Sequence, residues 1–212
     1  MKQFKQILKK AIMSGVYVTL VVTVYLMTLD ATGNKLIGGI LFSFALLMIV
    51  GRGYYLYTGK IGYFLPYEKG NAKIIGTTLL GNILGILITS SLILLAGQDH
   101  LTVFALEQVN LKFEGVKLYE TFILAFFCGV FMFTAVDGYN NIDDKIIRVL
   151  VVMFSVVIFL LIGFEHSIAN MVYLAFAKKF SFKYLITLIV MLLGNAAGAI
   201  TLNFLHLKPK NK

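Results

Sequence analysis

Gly163-Phe164-Glu165-His166-Ser167-Ile168-Ala169-Asn170-Met171 sets an acid, an imidazole and an amide inside a stretch otherwise apolar enough to cross a bilayer. An ionisable group at membrane depth is costly to desolvate, so it faces a bundle interior or a water-filled pathway and marks a functional position. These nine residues therefore point to a helical membrane bundle through which something polar passes.

The surrounding sequence agrees. Of 212 residues, 59% are hydrophobic and 14% charged, and the mean hydropathy is +0.87. No water-soluble domain of this length needs so much apolar surface. Apolar windows of roughly 20 residues place six spans, near 11–29, 36–58, 73–97, 118–139, 146–165 and 183–207. The fold class expected is an all-α membrane protein, a single transmembrane domain over 1–212. Lys2, Lys5, Lys9 and Lys10 precede the first apolar run as in a secretory signal. That run, Ala11 to Leu29, is longer than a signal's apolar core and is followed by no cleavage pattern, so it reads as the first span. Cys128, the one cysteine, allows no internal disulfide and reads as a small core residue.

Charge placement sets an expected orientation. With both termini cytoplasmic, the inner side receives Lys2, Lys5, Lys9, Lys10, Lys60, Lys69, Lys73, Lys145, Arg148, Lys208, Lys210 and Lys212, and the outer side receives Lys35, Lys112, Lys117, Lys178, Lys179 and Lys183. That bias favours a multi-pass protein of the cytoplasmic membrane with its termini inside. The net charge of +9 then reports topology and contact with anionic lipid, and no nucleic-acid partner is needed to explain it. Lys178, Lys179 and Lys183 run against the bias, either as a solvated loop or as an attraction for anions.

The chain also repeats itself. Gly81-Asn82-Ile83-Leu84-Gly85 and Gly194-Asn195-Ala196-Ala197-Gly198 share a G-N-x-x-G pattern 113 positions apart, and the same offset carries Thr58 to Met171, at the end of the opening motif. Two three-span repeats, about 11–97 and 118–207, must cross in opposite senses, because an odd number of crossings reverses direction. Interrupted spans at matching places of inverted repeats point to a permeation site. The paired glycines read as close-packing positions. Asn82 and Asn195 are expected to brace the two breaks, since an amide in hydrocarbon must find partners and freed backbone groups supply them.

The nine-residue motif, together with Leu56-Tyr57-Thr58-Gly59, both Gly-Asn motifs and the start of the fourth span, resembles the formate/nitrite transporter family over nearly the whole chain. The resemblance implies an aquaporin-like protomer of six transmembrane helices, with helices two and five broken, in a pentamer. It implies passage of a small monovalent weak-acid anion by a channel or proton-coupled facilitator. Formate or nitrite is the first expectation, and hydrosulfide or a short-chain carboxylate the alternative. By the same resemblance His166 is the central pore histidine, flanked by Glu165 and Asn170, and Thr58 faces it. Lys117 is the vestibular lysine, and Phe42, Leu46, Leu56, Tyr57 and Phe159 form the apolar constriction. Tyr57 stands in place of a phenylalanine and would add a hydroxyl to the dry slit.

Phe133 stands where the family often has asparagine, and Met191-Leu192-Leu193 lacks the family's proline. Arg52, between Gly51 and Gly53, is unusual. It is expected to be buried near the middle of the second span, paired with Asp137 or a backbone carbonyl, as a second anion-attracting charge or as a structural ion pair between protomers. A rival class, an intramembrane enzyme using Glu165 and His166 as acid and base, finds no supporting nucleophile, phosphate-binding or zinc motif. Nothing implies a catalytic residue, a metal or a cofactor.

Overall fold

The computed structural model describes residues 2–206. Lys208, Lys210 and Lys212, counted in the charge bias, lie outside the described residues. The fold is all-α: α1 (Lys2–Thr32), α2 (Lys35–Gly51), α3 (Tyr57–Lys60), a 3-10 turn (Ile61–Phe64), α4 (Asn71–Leu95), α5 (Leu101–Phe113), α6 (Leu118–Asn141), α7 (Lys145–Ile162), α8 (Ser167–Ala177) and α9 (Phe182–His206). Five of these, α1, α4, α6, α7 and α9, are long and apolar enough to cross a membrane, whereas α2 and α8 are apolar but shorter. The six expected spans are therefore not six helices. The second is divided into α2 and α3 by Arg52–Leu56, and the fifth ends at Ile162, with Gly163–His166 non-helical before α8.

Two halves are built alike. The polar residues Asn34 and Asp144 cap α2 and α7, each side-chain oxygen accepting two backbone N–H groups of the first turn. Past the far ends of these helices the chain turns at Gly53 and Gly163, both with positive φ. α4 packs on α1 and α9 on α6 through the paired glycines. A Cβ at Gly81 would meet Ala11, and one at Gly85 would collide with the Ile12 carbonyl oxygen. In the second half a Cβ at Gly194 would meet Ala125, and one at Gly198 the Phe126 carbonyl oxygen. Small residues here let backbones touch, which is how apolar helices gain contact where lipid removes the hydrophobic drive.

The α5 segment corrects a further expectation. The sequence suggests a surface loop with at most a helix lying on it. Leu101, Ala105, Val109 and Phe113 recur every four residues and are fully buried, so α5 turns one complete face inward, onto α8.

Candidate functional site

Each break is held by one asparagine. Asn82 accepts the Tyr57 N–H (2.9 Å) and donates to the carbonyls of Ala11 (2.9 Å) and Tyr55 (2.8 Å). Asn195 accepts the Ser167 N–H (3.0 Å) and donates to those of Ala125 (2.8 Å) and Glu165 (2.8 Å). The matching continues in the backbone, with Tyr55 N–H towards Lys10 O (3.5 Å) and Glu165 N–H towards Leu124 O (3.4 Å). Leu56 and His166 thus occupy equivalent places as N-caps of α3 and α8. The offset between the breaks is 110 residues, not the 113 that relates the Gly-Asn motifs.

His166 is held on both ring nitrogens. Nδ1 accepts the Ala169 N–H at 3.0 Å, so the neutral ring carries its proton on Nε2 and donates it to Thr58 Oγ1, also at 3.0 Å. Among the described residues Thr58 Oγ1 has no other partner, which leaves its own O–H free to donate. The imidazole lies stacked on Phe159, with centroids 5.7 Å apart. Glu165 points elsewhere, as neighbours in a chain do. Lys112 Nζ reaches both its oxygens (3.0 and 3.1 Å), and Asn170 donates to one of them at 2.6 Å.

Three cavities lie in series beside these groups, each sharing two wall residues with the next. A vestibule of about 210 Å³ is bounded by Lys112, Glu165, His166 and Asn170, with Tyr25, Tyr173, Lys35 and Gln108. His166 and Phe159 also line the next cavity, of about 10 Å³, whose other walls include Val18, Phe42, Leu46, Ile49, Leu56 and Met132. That volume holds at most about one water, and its walls offer few partners for it. Leu56 and Ile49 are shared in turn with a third cavity of about 50 Å³, bounded by Gly53, Tyr54, Lys60 and Asn140.

The structure does not bring every expected residue to this path. Lys117 is largely exposed at the start of α6, paired with Glu120 at 3.2 Å; the lysine in the vestibule is Lys112. A helical reading of 101–113 would have found Lys112 and Gln108 flanking the buried stripe of α5. Tyr57 is turned away from the slit, its hydroxyl donating to Leu192 O at 3.1 Å, so it adds no hydroxyl there. Arg52 is exposed just past α2. The expected Arg52–Asp137 pair is not formed, because Asp137 takes the Tyr63 hydroxyl and the Asn141 amide. Phe133, fully buried, packs on Tyr63 with centroids 5.2 Å apart and against Gly62. That departure from the family pattern braces the 3-10 turn and does not line the slit.

Residues 1–207 match the model of the formate/nitrite transporter family. The chain belongs to that family. Among curated relatives it is 30% identical over 182 residues to the formate channel FocA of Escherichia coli K12, and to the same channel of two further Escherichia coli strains. The match takes in 76% of this chain and 62% of that one, so the chain spans less than two thirds of the curated relatives' length. In fold it is similar to a pentameric formate channel solved with formate bound (TM-score 0.82, 20% identity, 97% and 95% of the two chains). It is also similar to an FNT family ion channel (TM-score 0.78, 21% identity, 96% and 90%).

Proposed function

We propose that the chain forms a channel or proton-coupled facilitator for a small monovalent weak-acid anion, formate or nitrite, across the cytoplasmic membrane. The observation that carries this reading is the series of three cavities in which a dry slit, walled by Phe42, Leu46, Leu56 and Phe159, separates two polar mouths. An anion cannot enter such a slit charged, because desolvation costs several kcal/mol or more even after relaxation. Desolvation also raises the acid's own pKa, so a proton from the mouth converts it to the neutral acid that crosses. Lys112 draws the anion in but favours its charged form, while Glu165 beside it matches that charge. Thr58, oriented by His166, then donates its O–H to the oxygen atoms of the passing acid.

In this reading α2 with α3, and α7 with α8, are the two broken crossings of a six-crossing protomer, and the halves run in opposite senses. The protomer assembles as a homopentamer in the lipid bilayer with both termini cytoplasmic, in keeping with the charge bias. An enzymatic use of Glu165 and His166 gains no support, since the two side chains face different partners.

The test is flux of formate, nitrite, hydrosulfide and chloride into proteoliposomes at two pH values, with His166→Asn alongside. Faster passage of one weak acid at the lower pH, altered in the variant, is the expected result. Equal passage of chloride, or none of any anion through a folded oligomer, defeats the reading.

A further inference from the structure

The mouth opposite Lys112 has no assigned role, and its charges are arranged differently. Lys60 Nζ lies 4.8 Å from the centroid of the Tyr55 ring and Lys10 Nζ 5.8 Å from it, so two ammonium groups share one aromatic ring. Lys60 is half-buried and lines the 50 Å³ cavity that ends at Leu56. Lys10 Nζ reaches Gly53, another wall of that cavity, coming 3.8 Å from where a Cβ would stand. Among the described residues neither ammonium has a carboxylate within 4.0 Å.

Tyr55 is the counterpart of Glu165, held by the same backbone and asparagine bonds. Where one mouth sets a carboxylate against its lysine, the other gathers two lysines at one ring. A ring face offsets only part of the repulsion between the half-buried Lys60 and the exposed Lys10. A monovalent anion between them would complete the set.

We infer that Lys60 and Lys10, gathered around Tyr55, form a second anion-binding site that loads the pore with the same class of small oxyanion from the mouth opposite Lys112. This rests on the proposed transport function. It replaces Arg52, exposed and not a wall of the cavity, as the second cationic position.

The experiment measures formate and nitrite flux in vesicles of determined protein orientation, as a function of anion concentration on each side. Lys60→Gln is expected to raise the half-saturating concentration from the Lys60 side by about tenfold, the loss of one charge-assisted hydrogen bond. The value from the Lys112 side stays within about twofold, below 0.5 kcal/mol. Lys60→Arg should stay near wild type, and Lys10→Gln should show a smaller rise in the same direction. Thermal unfolding in detergent with and without nitrite gives an independent reading, in which Lys60→Gln removes the nitrite-dependent rise in Tm. If wild type passes no anion but keeps a Lys60-dependent rise, the site stands and the transport reading fails. Unchanged half-saturation and an unchanged nitrite effect in Lys60→Gln overturn the site. So does an effect confined to vesicles containing anionic lipid, which would assign the lysines to a headgroup.

Discussion

The two breaks share a scaffold and differ in chemistry. At the first, Asn82 holds Tyr55 and Tyr57 around Leu56; at the second, Asn195 holds Glu165 and Ser167 around His166. The bonds superpose, yet one cap is apolar and the other an imidazole, and one flanking residue is a ring and the other an acid. Backbone groups left unpaired at membrane depth impose the same demand on both halves. The side chains that face the cavities are under no such demand and are free to diverge. The symmetric part is therefore the part that stabilises, and the asymmetric part gives the two cavities their different chemistry.

Removing the asparagine common to both breaks has the largest expected effect. Asn195→Leu or Asn82→Leu strands an N–H and a carbonyl at its break, Ser167 and Glu165 or Tyr57 and Tyr55, at about 1–3 kcal/mol each, so each variant should lose several kcal/mol and fail to give a folded oligomer by size exclusion and thermal unfolding. A large loss in only one of the two would show that the breaks are not equivalent supports.

Next in size is the charge pair that only one half has. Lys112→Met leaves Glu165 charged and largely buried, and should destabilise by about 2–3 kcal/mol, below the 3–5 typical of full burial. Adding Glu165→Gln to Lys112→Met should recover most of that loss in Tm. Failure to recover would mean that the lysine acts on something other than Glu165.

Thr58→Val sharpens the contrast at the slit. It leaves the His166 Nε2–H without its acceptor, at a cost of about 1–2 kcal/mol. It should also lower formate or nitrite flux more than it lowers Tm, because the free O–H is lost with the acceptor. Flux unchanged in a folded Thr58→Val oligomer would remove Thr58 from the pathway.

The smallest effect belongs to α5, which has no counterpart in the described second half. Glu114, at its end, is held below the usual carboxylate value of 4.5 by hydrogen bonds from Lys183 (2.6 Å) and Tyr184. A carboxyl depressed in the folded state stabilises above its unfolded value and loses that contribution as pH falls through the lower, folded one. The small Tm advantage of wild type over Lys183→Met at neutral pH should therefore fade below 4.5. An advantage that persists in acid would show that the tie is not ionic.

Much of the scaffold is legible in the chain because it rests on local or periodic signals. Apolar windows and the G-N-x-x-G motifs identify helices that must pack closely, and the asparagine within each glycine pair marks where a backbone needs support. The window method stops short at Arg52–Leu56 and Gly163–His166, because hydropathy averages over residues and does not register where hydrogen bonding lapses. It also reads α5 as a loop, since Glu107, Gln108, Asn110 and Lys112 dilute the hydropathy of a helix too short to span and buried at every fourth residue.

The site divides along the same line. His166, Glu165 and Asn170 stand together in sequence, and that alone makes them conspicuous in an apolar run. That Thr58 meets His166 across 108 positions, that Lys112 and not Lys117 matches Glu165, and that Tyr57 turns towards Leu192 are consequences of how helices stack. Sequence by itself determined the helical membrane class, the twofold repeat and the polar motif, because burial of apolar surface and satisfaction of backbone groups are demands each segment carries with it. The packing of distant segments settled which lysine reaches Glu165, which hydroxyl meets His166 and which ring stacks on it. Those choices depend on distances of a few ångströms between segments that share no local signal.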